Sequence, residues 1–254
     1  LFEGTGWLYA YVYYLNNNIN YFHGHMLPST GYITNFDIER FNGGIFLRLP
    51  SEEGTGLLRT FIPQDKLFEI FQLHKDWASI LNMANVGRLN QQVKQGKEGE
   101  IIKISEALHE KKIAEIASLV SDRKSQVKLI LIAGPSSSGK TTFSKRLAVQ
   151  LAVCGLKSSQ ISLDDYFVDR EHTPLDEFGN YDFETLEAID IPFFNNQLLQ
   201  LIAGEAVEIP RFSFQTGQRT FDGNILQLDS NEVLIIEGIH GLNPKLLPMI
   251  DPSL

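Results

Sequence analysis

Three sets of residues have the types and spacing to do chemistry. The first is Gly134-Pro135-Ser136-Ser137-Ser138-Gly139-Lys140-Thr141-Thr142, which fits the pattern G-x-x-x-x-G-K-[ST] of a phosphate-binding loop. Small residues let successive backbone N–H groups point into one concave nest that suits phosphate oxygens. A helix opening at Lys140 would aim its positive end at the same place. Lys140 adds a mobile cation for the β- and γ-phosphates, and the Thr141 hydroxyl is a ligand for Mg²⁺. The second set is Asp164 and Asp165 in "SLDDYF", and the third is Glu237 in "LIIEG". A kinase needs one acid to take a proton from the acceptor hydroxyl and another to organise the metal. Each set has a structural reading as well: a glycine-serine turn, an acidic helix cap, a solvated strand end.

These residues need a scaffold, and the sequence alternates strand and helix around them. "VKLILIA" is an apolar run that leads into the loop, and a helix follows through Ala152. "SSQISLDD" is a second strand, ending on the aspartates, and "EVLIIEG" is a third, ending on Glu237. A helix is expected near Phe194 to Ile202 and a short one after Glu237. Apolar strands alternating with helices predict a doubly wound, mostly parallel α/β sheet, with the acids at the carboxyl ends where such sheets hold ligands.

The earlier half has another texture. "GWLYAYVYYL" and "INYFHGHML" read as strands joined at Asn16, Asn17 and Asn18, and "GGIFLRLP" reads as a third. From Asp65 the apolar spacing turns helical, Gly87, Gly96 and Gly99 suggest a looser connection, and a further helix is expected from about Ile104. The segment "SDRKSQ" is the expected linker, giving an α+β region at 1–124 and a nucleotide-binding domain at 125–254. His23 and His25 flank Gly24 and share one side of a strand, but no third zinc ligand is evident, so ordinary strand packing is the reading there.

The 254 residues are 43% apolar and 21% charged, as in an ordinary globular protein, and the net charge of −9 argues against nucleic acid as a general partner. The single Cys154 cannot form an internal disulfide, and no apolar run is long enough to span a membrane, so a cytoplasmic location is expected. Neither a guanine-reading N-K-x-D nor a transporter-type L-S-G-G-Q is present.

Taken in order, the phosphate loop, "SLDDYF", "NYDFETLEAID", "IPRFSFQTGQR" and "VLIIEGIHGL" resemble the uridine kinase and phosphoribulokinase family of P-loop kinases. "MLPSTGYITNFDIERF" and "EALHEKKIAEIA" are similar to bacterial nucleoside kinases that carry threonyl-tRNA synthetase-like accessory segments. The resemblance implies ATP and Mg²⁺, and a nucleoside phosphorylated on its 5′-hydroxyl. Asp164 would be the general base and Asp182 would hold the ribose. Phe212 and Phe214 would line the base pocket, and Arg219 would assist substrate or phosphates. Glu237 would organise Mg²⁺ with Thr141 and Asp164. Asp182 could equally cap a helix near Thr185, Phe212 and Phe214 could be core, and Arg219 could be a surface residue. Gly217 stands where pyrimidine nucleoside kinases place a base-reading histidine, which leaves the acceptor base open. The remaining alternatives are a sugar-phosphate kinase of the phosphoribulokinase kind and an ATP sensor without catalysis. Relatives of this kind are often homo-oligomers. The opening on Leu1 and the absence of an arginine-bearing lid after Glu237 mark the chain, on this reading, as a piece of a longer protein.

Overall fold

The computed structural model describes residues 12–22, 25–51 and 56–251. Two compact units make up the chain, Leu1–Lys103 and Ile104–Leu254.

In the first unit, β1 (Val12–Leu15) and β2 (Asn18–Tyr21) form an antiparallel hairpin with Leu15 opposite Asn18. Asn16 turns it at φ 51°, a left-handed conformation that asparagine tolerates better than most residues. The first part of "GWLYAYVYYL" and the pair His23 and Gly24 lie outside the described residues. The second strand stops at Tyr21, short of "HGHML", and His25 sits in exposed irregular chain. A second hairpin joins β3 (Asp37–Phe41) to β4 (Gly44–Arg48), and its turn residues Asn42 and Gly43 have φ of 46° and 78°. Positive φ at both positions is what a tight type I′ turn requires. Helices α1 (Asp65–Ile80) and α2 (Val86–Lys94) follow. The looser connection expected from the glycines is therefore mostly α2. The Asn85 side chain caps it by accepting from Arg88 N at 2.9 Å, and Gly96 closes the turn beyond it at φ 72°.

Helix α3 (Glu98–Asp122) begins before the expected Ile104, and the two units meet inside it at Lys103 and Ile104 rather than at 124. The reason is packing. Ile113 and Ala117, both fully buried, join Leu147, Leu151 and Ile235 in one core cluster of the second unit. Arg146 adds polar contacts on the same side, donating to Glu110 at 2.6 Å and to Glu106 at 3.0 Å.

The second unit continues with β5 (Leu129–Ile132), α4 (Lys140–Val153), β6 (Lys157–Ser162) and α5 (Ile191–Ile202). Short strands β7 (Val207–Glu208), β8 (Arg211–Ser213), β9 (Gln218–Thr220) and β10 (Ile225–Leu226) precede β11 (Glu232–Glu237). The sheet order is β5-β11-β6, all parallel, with the last strand inserted between the first two. Alternation along β11 sends Leu234 and Ile236 to one core cluster and Ile235 to the other, so both faces are covered. This is the mixed α/β architecture the sequence predicts. The short helix expected after Glu237 does not form; residues 239–250 are turns, pinned where Gly241 N donates to Gly238 O at 3.2 Å. No helix among the described residues is long and apolar enough to cross a membrane.

The helix behind the phosphate loop is held by its buried face. Leu147→Ala should cost about 2–5 kcal/mol of stability because the site is closed and cannot refill. Val149→Ala, at a position 62% exposed, should change stability by no more than about 0.5 kcal/mol. Urea unfolding of both variants checks the contrast, and equal midpoints would mean that this face of α4 does not anchor the loop.

Candidate active site

Register brings the chemistry together. Glu237, the last residue of β11, pairs with Ile132 at the end of β5 and with Ser162 at the end of β6. The phosphate loop leaves β5 two residues later, and Asp164 follows β6 after one more residue, Leu163. Three strand ends therefore deliver the loop, the aspartates and Glu237 to one edge.

Within the loop, Ser137 has φ 61° and Gly139, the residue before α4, has φ 89°. Ser138 N donates to Pro135 O at 3.2 Å and Phe143 N to Gly139 O at 2.8 Å, so the loop closes tightly onto the helix. Residues 135–139 are exposed, with the nest open to a ligand. A Cβ on Gly134 would come 2.7 Å from Ser138 Oγ, so a larger residue at the head of the loop would have to push that hydroxyl aside. Lys140 Nζ reaches back to Pro135 O at 3.0 Å.

Thr141 Oγ1 donates to Glu237 Oε1 at 2.8 Å, and Glu237 is only 9% exposed. The neighbouring Asp164 carboxyl has its pKa raised, first by lost hydration and then by the Glu237 charge, with Lys140 pulling the other way. Thr141, Asp164, Glu237 and Lys140 thus form one electrostatic group. The adjacent Asp165 has a different environment: its Oδ1 accepts from Phe212 N at 3.3 Å, which ties the aspartate turn to β8. Its pKa is also raised by burial, with the Phe212 N–H opposing.

The donor set suits Mg²⁺. Among the described residues no three His, Cys, Asp or Glu side chains gather closely enough to hold a metal unaided. A hydroxyl and one or two carboxylates beside a phosphate nest match an ion that takes the rest of its shell from phosphate oxygens and water.

A nucleotide-free titration tests the coupling. The Asp164 carboxyl should titrate above the ordinary value of 3.8, because both burial and Glu237 favour its neutral form. Glu237→Gln removes the repulsion and should move that titration to lower pH, as followed by carboxyl carbon NMR. An unmoved or raised midpoint would show that the two carboxylates do not sense one another.

The acceptor-side residues separate into two kinds. Phe212 is buried at 7% exposure, whereas Phe214 is 52% exposed, and their rings meet edge to face at 5.2 Å. Phe167 and Phe183 complete an aromatic cluster with them, at 5.7 Å each from Phe214. Phe212 is thus core and Phe214 is the open wall. Phe167 and Phe183 were not singled out from sequence; the available signal was that each stands one or two residues from an aspartate. Asp182 does not cap a helix. Its Oδ1 accepts from Glu184 N at 2.9 Å, and its own N–H donates to Pro174 O at 2.7 Å, in a turn beside Phe183. Arg219 is neither solvated nor in contact with the loop. Its guanidinium donates to Asp190 at 2.7 Å, lies 4.5 Å from the Phe193 ring centroid, and so binds β9 to the start of α5.

Residues 129–247 match the profile of the "Phosphoribulokinase / Uridine kinase family". The match spans the phosphate loop, the aspartate turn and the strand end that carries Glu237. A uridine kinase of Shewanella sp. (strain W3-18-1) is 34% identical over 132 residues, covering 50% of this chain and 61% of the relative. The inorganic pyrophosphatase TTM2 of Arabidopsis thaliana is 30% identical over 156 residues, 60% of this chain and 22% of that protein. A solved structure described as a possible uridine kinase from Bacillus stearothermophilus is 25% identical with a TM-score of 0.41, covering 50% of this chain and 68% of that one. The chain therefore spans about three-fifths of the length of the curated uridine kinases that it matches.

Proposed function

We propose that this chain carries the phosphoryl-transfer core of a nucleoside kinase, moving the γ-phosphoryl group of ATP to a nucleoside 5′-hydroxyl and releasing ADP. The observation that carries the reading is the Thr141–Glu237 hydrogen bond at 2.8 Å, which joins the phosphate loop to an acid on a neighbouring strand end, with Asp164 alongside. The match of residues 129–247 to the phosphoribulokinase and uridine kinase profile supports the kinase class.

In this reading the nest from Gly134 to Thr142 binds the phosphates, and Lys140 turns from Pro135 O to the transferring group. Mg²⁺, held by Thr141 with Glu237 and Asp164, would neutralise phosphate charge. The 5′-oxygen forms its bond to phosphorus as the bond to the leaving ADP oxygen breaks, and Asp164 accepts the hydroxyl proton. A carboxylate with a raised pKa is the better proton acceptor of otherwise similar groups. Asp182 turns toward the ribose and Phe214 provides the exposed aromatic wall. Arg219 acts indirectly, by fixing β9. The first unit enters as an accessory region.

The test is a product assay by mass spectrometry, with Mg-ATP and a pool of nucleosides and pentose phosphates. A nucleoside monophosphate with stoichiometric ADP is the expected result. A phosphorylated sugar phosphate would transfer the reading to the phosphoribulokinase kind. ATP binding with no product from any acceptor, here and in a longer form of the protein, would favour a sensor.

A further inference from the structure

The start of α4 has to stay open to a ligand. Gly139 in front of it has no side chain to cap the helix, and Lys140 and Thr141 occupy the first turn. Whatever sets the rotation of α4 must therefore act from its sides. Its apolar face packs Leu147 and Leu151 with Ile113, Ala117 and Ile235. Burial of that kind is non-directional, so it holds the helix down but fixes its roll about the axis only loosely.

The directional contacts come from α3, which belongs to the second unit from Ile104 onward. Arg146 on α4 engages all three of its guanidinium nitrogens there. Nε and Nη2 donate to Glu110 Oε2 at 3.0 and 2.6 Å, and Nη1 donates to Glu106 Oε2 at 3.0 Å. Nη1 also lies 3.1 Å from His109 Nδ1, and because arginine only donates, that nitrogen is the acceptor. The other Glu110 oxygen accepts from Gln150 Nε2, about one turn further along α4. Arg146 first, and Gln150 after it, hold the Glu110 carboxyl below its ordinary pKa. The His109 ring stacks on Phe143, with centroids 6.3 Å apart and planes at 23°. These partners form a network rather than an isolated surface pair, which is the case in which partly exposed charges count. Helix α3 ends at Asp122, ahead of the matched residues 129–247, so the grip comes from outside the matched region.

We propose that Glu110 and Arg146 are positioning residues: by gripping α4 from α3 they fix its roll, and so place the Thr141 hydroxyl where it and Glu237 can share Mg²⁺. The inference rests on the ATP- and Mg²⁺-dependent reading above. Arg146 stands about 7.5 Å along the axis from Thr141, so it acts through the helix and not on the ligand. A roll of about 15° would carry a side-chain oxygen roughly 4 Å from the axis by about 1 Å. The Thr141–Glu237 hydrogen bond is 2.8 Å long, and a shift of that size breaks it. Misplacement of this order is enough to cost a large factor even when its cause is remote. The nest should move less, because its N–H groups precede the helix and the loop closes on itself from Ser138 N to Pro135 O. Mg²⁺ should therefore sense the roll more than the phosphates do.

The experiment is calorimetric titration of the 254-residue chain with a non-hydrolysable ATP analogue, with and without Mg²⁺, beside thermal melting of the ligand-free protein. The quantity read is the gain in affinity when Mg²⁺ is added. Arg146→Met should cut that gain about tenfold and leave the Mg²⁺-free affinity within about twofold. Glu110→Gln keeps the shape, should cut the gain by a smaller factor, and serves if the methionine variant does not fold. Arg146→Lys, which keeps the charge and loses the fork, should recover part of the gain. The double variant should lose no more than Arg146→Met alone, since the two residues act as one contact. Lys157→Met, which breaks an exposed 2.7 Å pair with Asp229 at the start of β6, should leave both affinities unchanged. A gain unmoved in both single variants, or losses that add in the double variant, would overturn the inference. So would affinities with and without Mg²⁺ that fall together, in step with the melting temperature, because α3 would then be a structural support only. An unsubstituted chain that binds no ATP analogue, or gains nothing from Mg²⁺, overturns the kinase reading as well. Mg²⁺-enhanced binding with no product from any acceptor overturns the nucleoside kinase reading alone.

Discussion

Lys140→Ala should lower product formation by about 10³-fold or more while leaving the fold intact, since a single preorganised charge on the transferring phosphoryl group is worth that much in related chemistry. The side chain has no part in either core cluster. It leaves α4 at its first residue, where alanine is equally helical, and its one hydrogen bond is to Pro135 O at 3.0 Å. Removing it therefore leaves the loop's backbone nest in place. What disappears is the Lys140 charge that opposes the raised pKa of Asp164. The ATP analogue should still bind, more weakly, because the nest and the start of α4 remain. Turnover should fall further than binding, because negative charge builds on the leaving bridging oxygen as the phosphoryl group transfers. Steady-state kinetics with circular dichroism as a fold check reads both. Turnover within tenfold of the unsubstituted chain would mean that phosphate charge is neutralised elsewhere, and Lys140 would be a structural strap across the loop.

The strand ends explain why so much of this site was legible in the sequence. A phosphate loop, an acid pair and a glutamate each follow a run of apolar residues, and a parallel sheet must put such ends on one edge. The strand order was not legible in the sequence: β11 inserts between β5 and β6, which puts Glu237 opposite Ser162. What the sequence left open depends on partners far apart in the chain. The two readings of Arg219 could not be separated without knowing that β9 brings it to Asp190, 29 positions earlier. Phe212 and Phe214 have the same spacing and type, yet one is core and the other is exposed, because β8 ends at Ser213. Helix α2 was hidden by glycines that mark its beginning and its end rather than a loop. The hairpin turn at Asn42 and Gly43 carried its signal openly, as a dipeptide made for positive φ.

The two adjacent aspartates give the sharpest test of the mechanism. Asp164→Asn should reduce turnover by about 10²- to 10⁴-fold, the range of a positioned general base. Asp165→Asn should have a much smaller effect. The two residues differ by one position, carry the same group, and both have raised pKa values, so chemistry by type cannot tell them apart. Their partners can. Asp164 is coupled to Glu237 and Lys140, the residues assigned to the metal and the phosphates, whereas Asp165 accepts from Phe212 N at 3.3 Å. An asparagine at 165 keeps an oxygen for that N–H, so β8 remains docked and the aromatic wall stays in place. An asparagine at 164 keeps the shape but cannot accept the hydroxyl proton, and it removes one of the acids assigned to Mg²⁺. Raising Mg²⁺ should restore only the metal-dependent part of the loss, leaving a residue that depends on the base. If Asp165→Asn proved the more damaging, the proton would have to pass to a carboxylate that faces β8. The Phe212 contact would then be a feature of the resting protein that breaks when the acceptor binds.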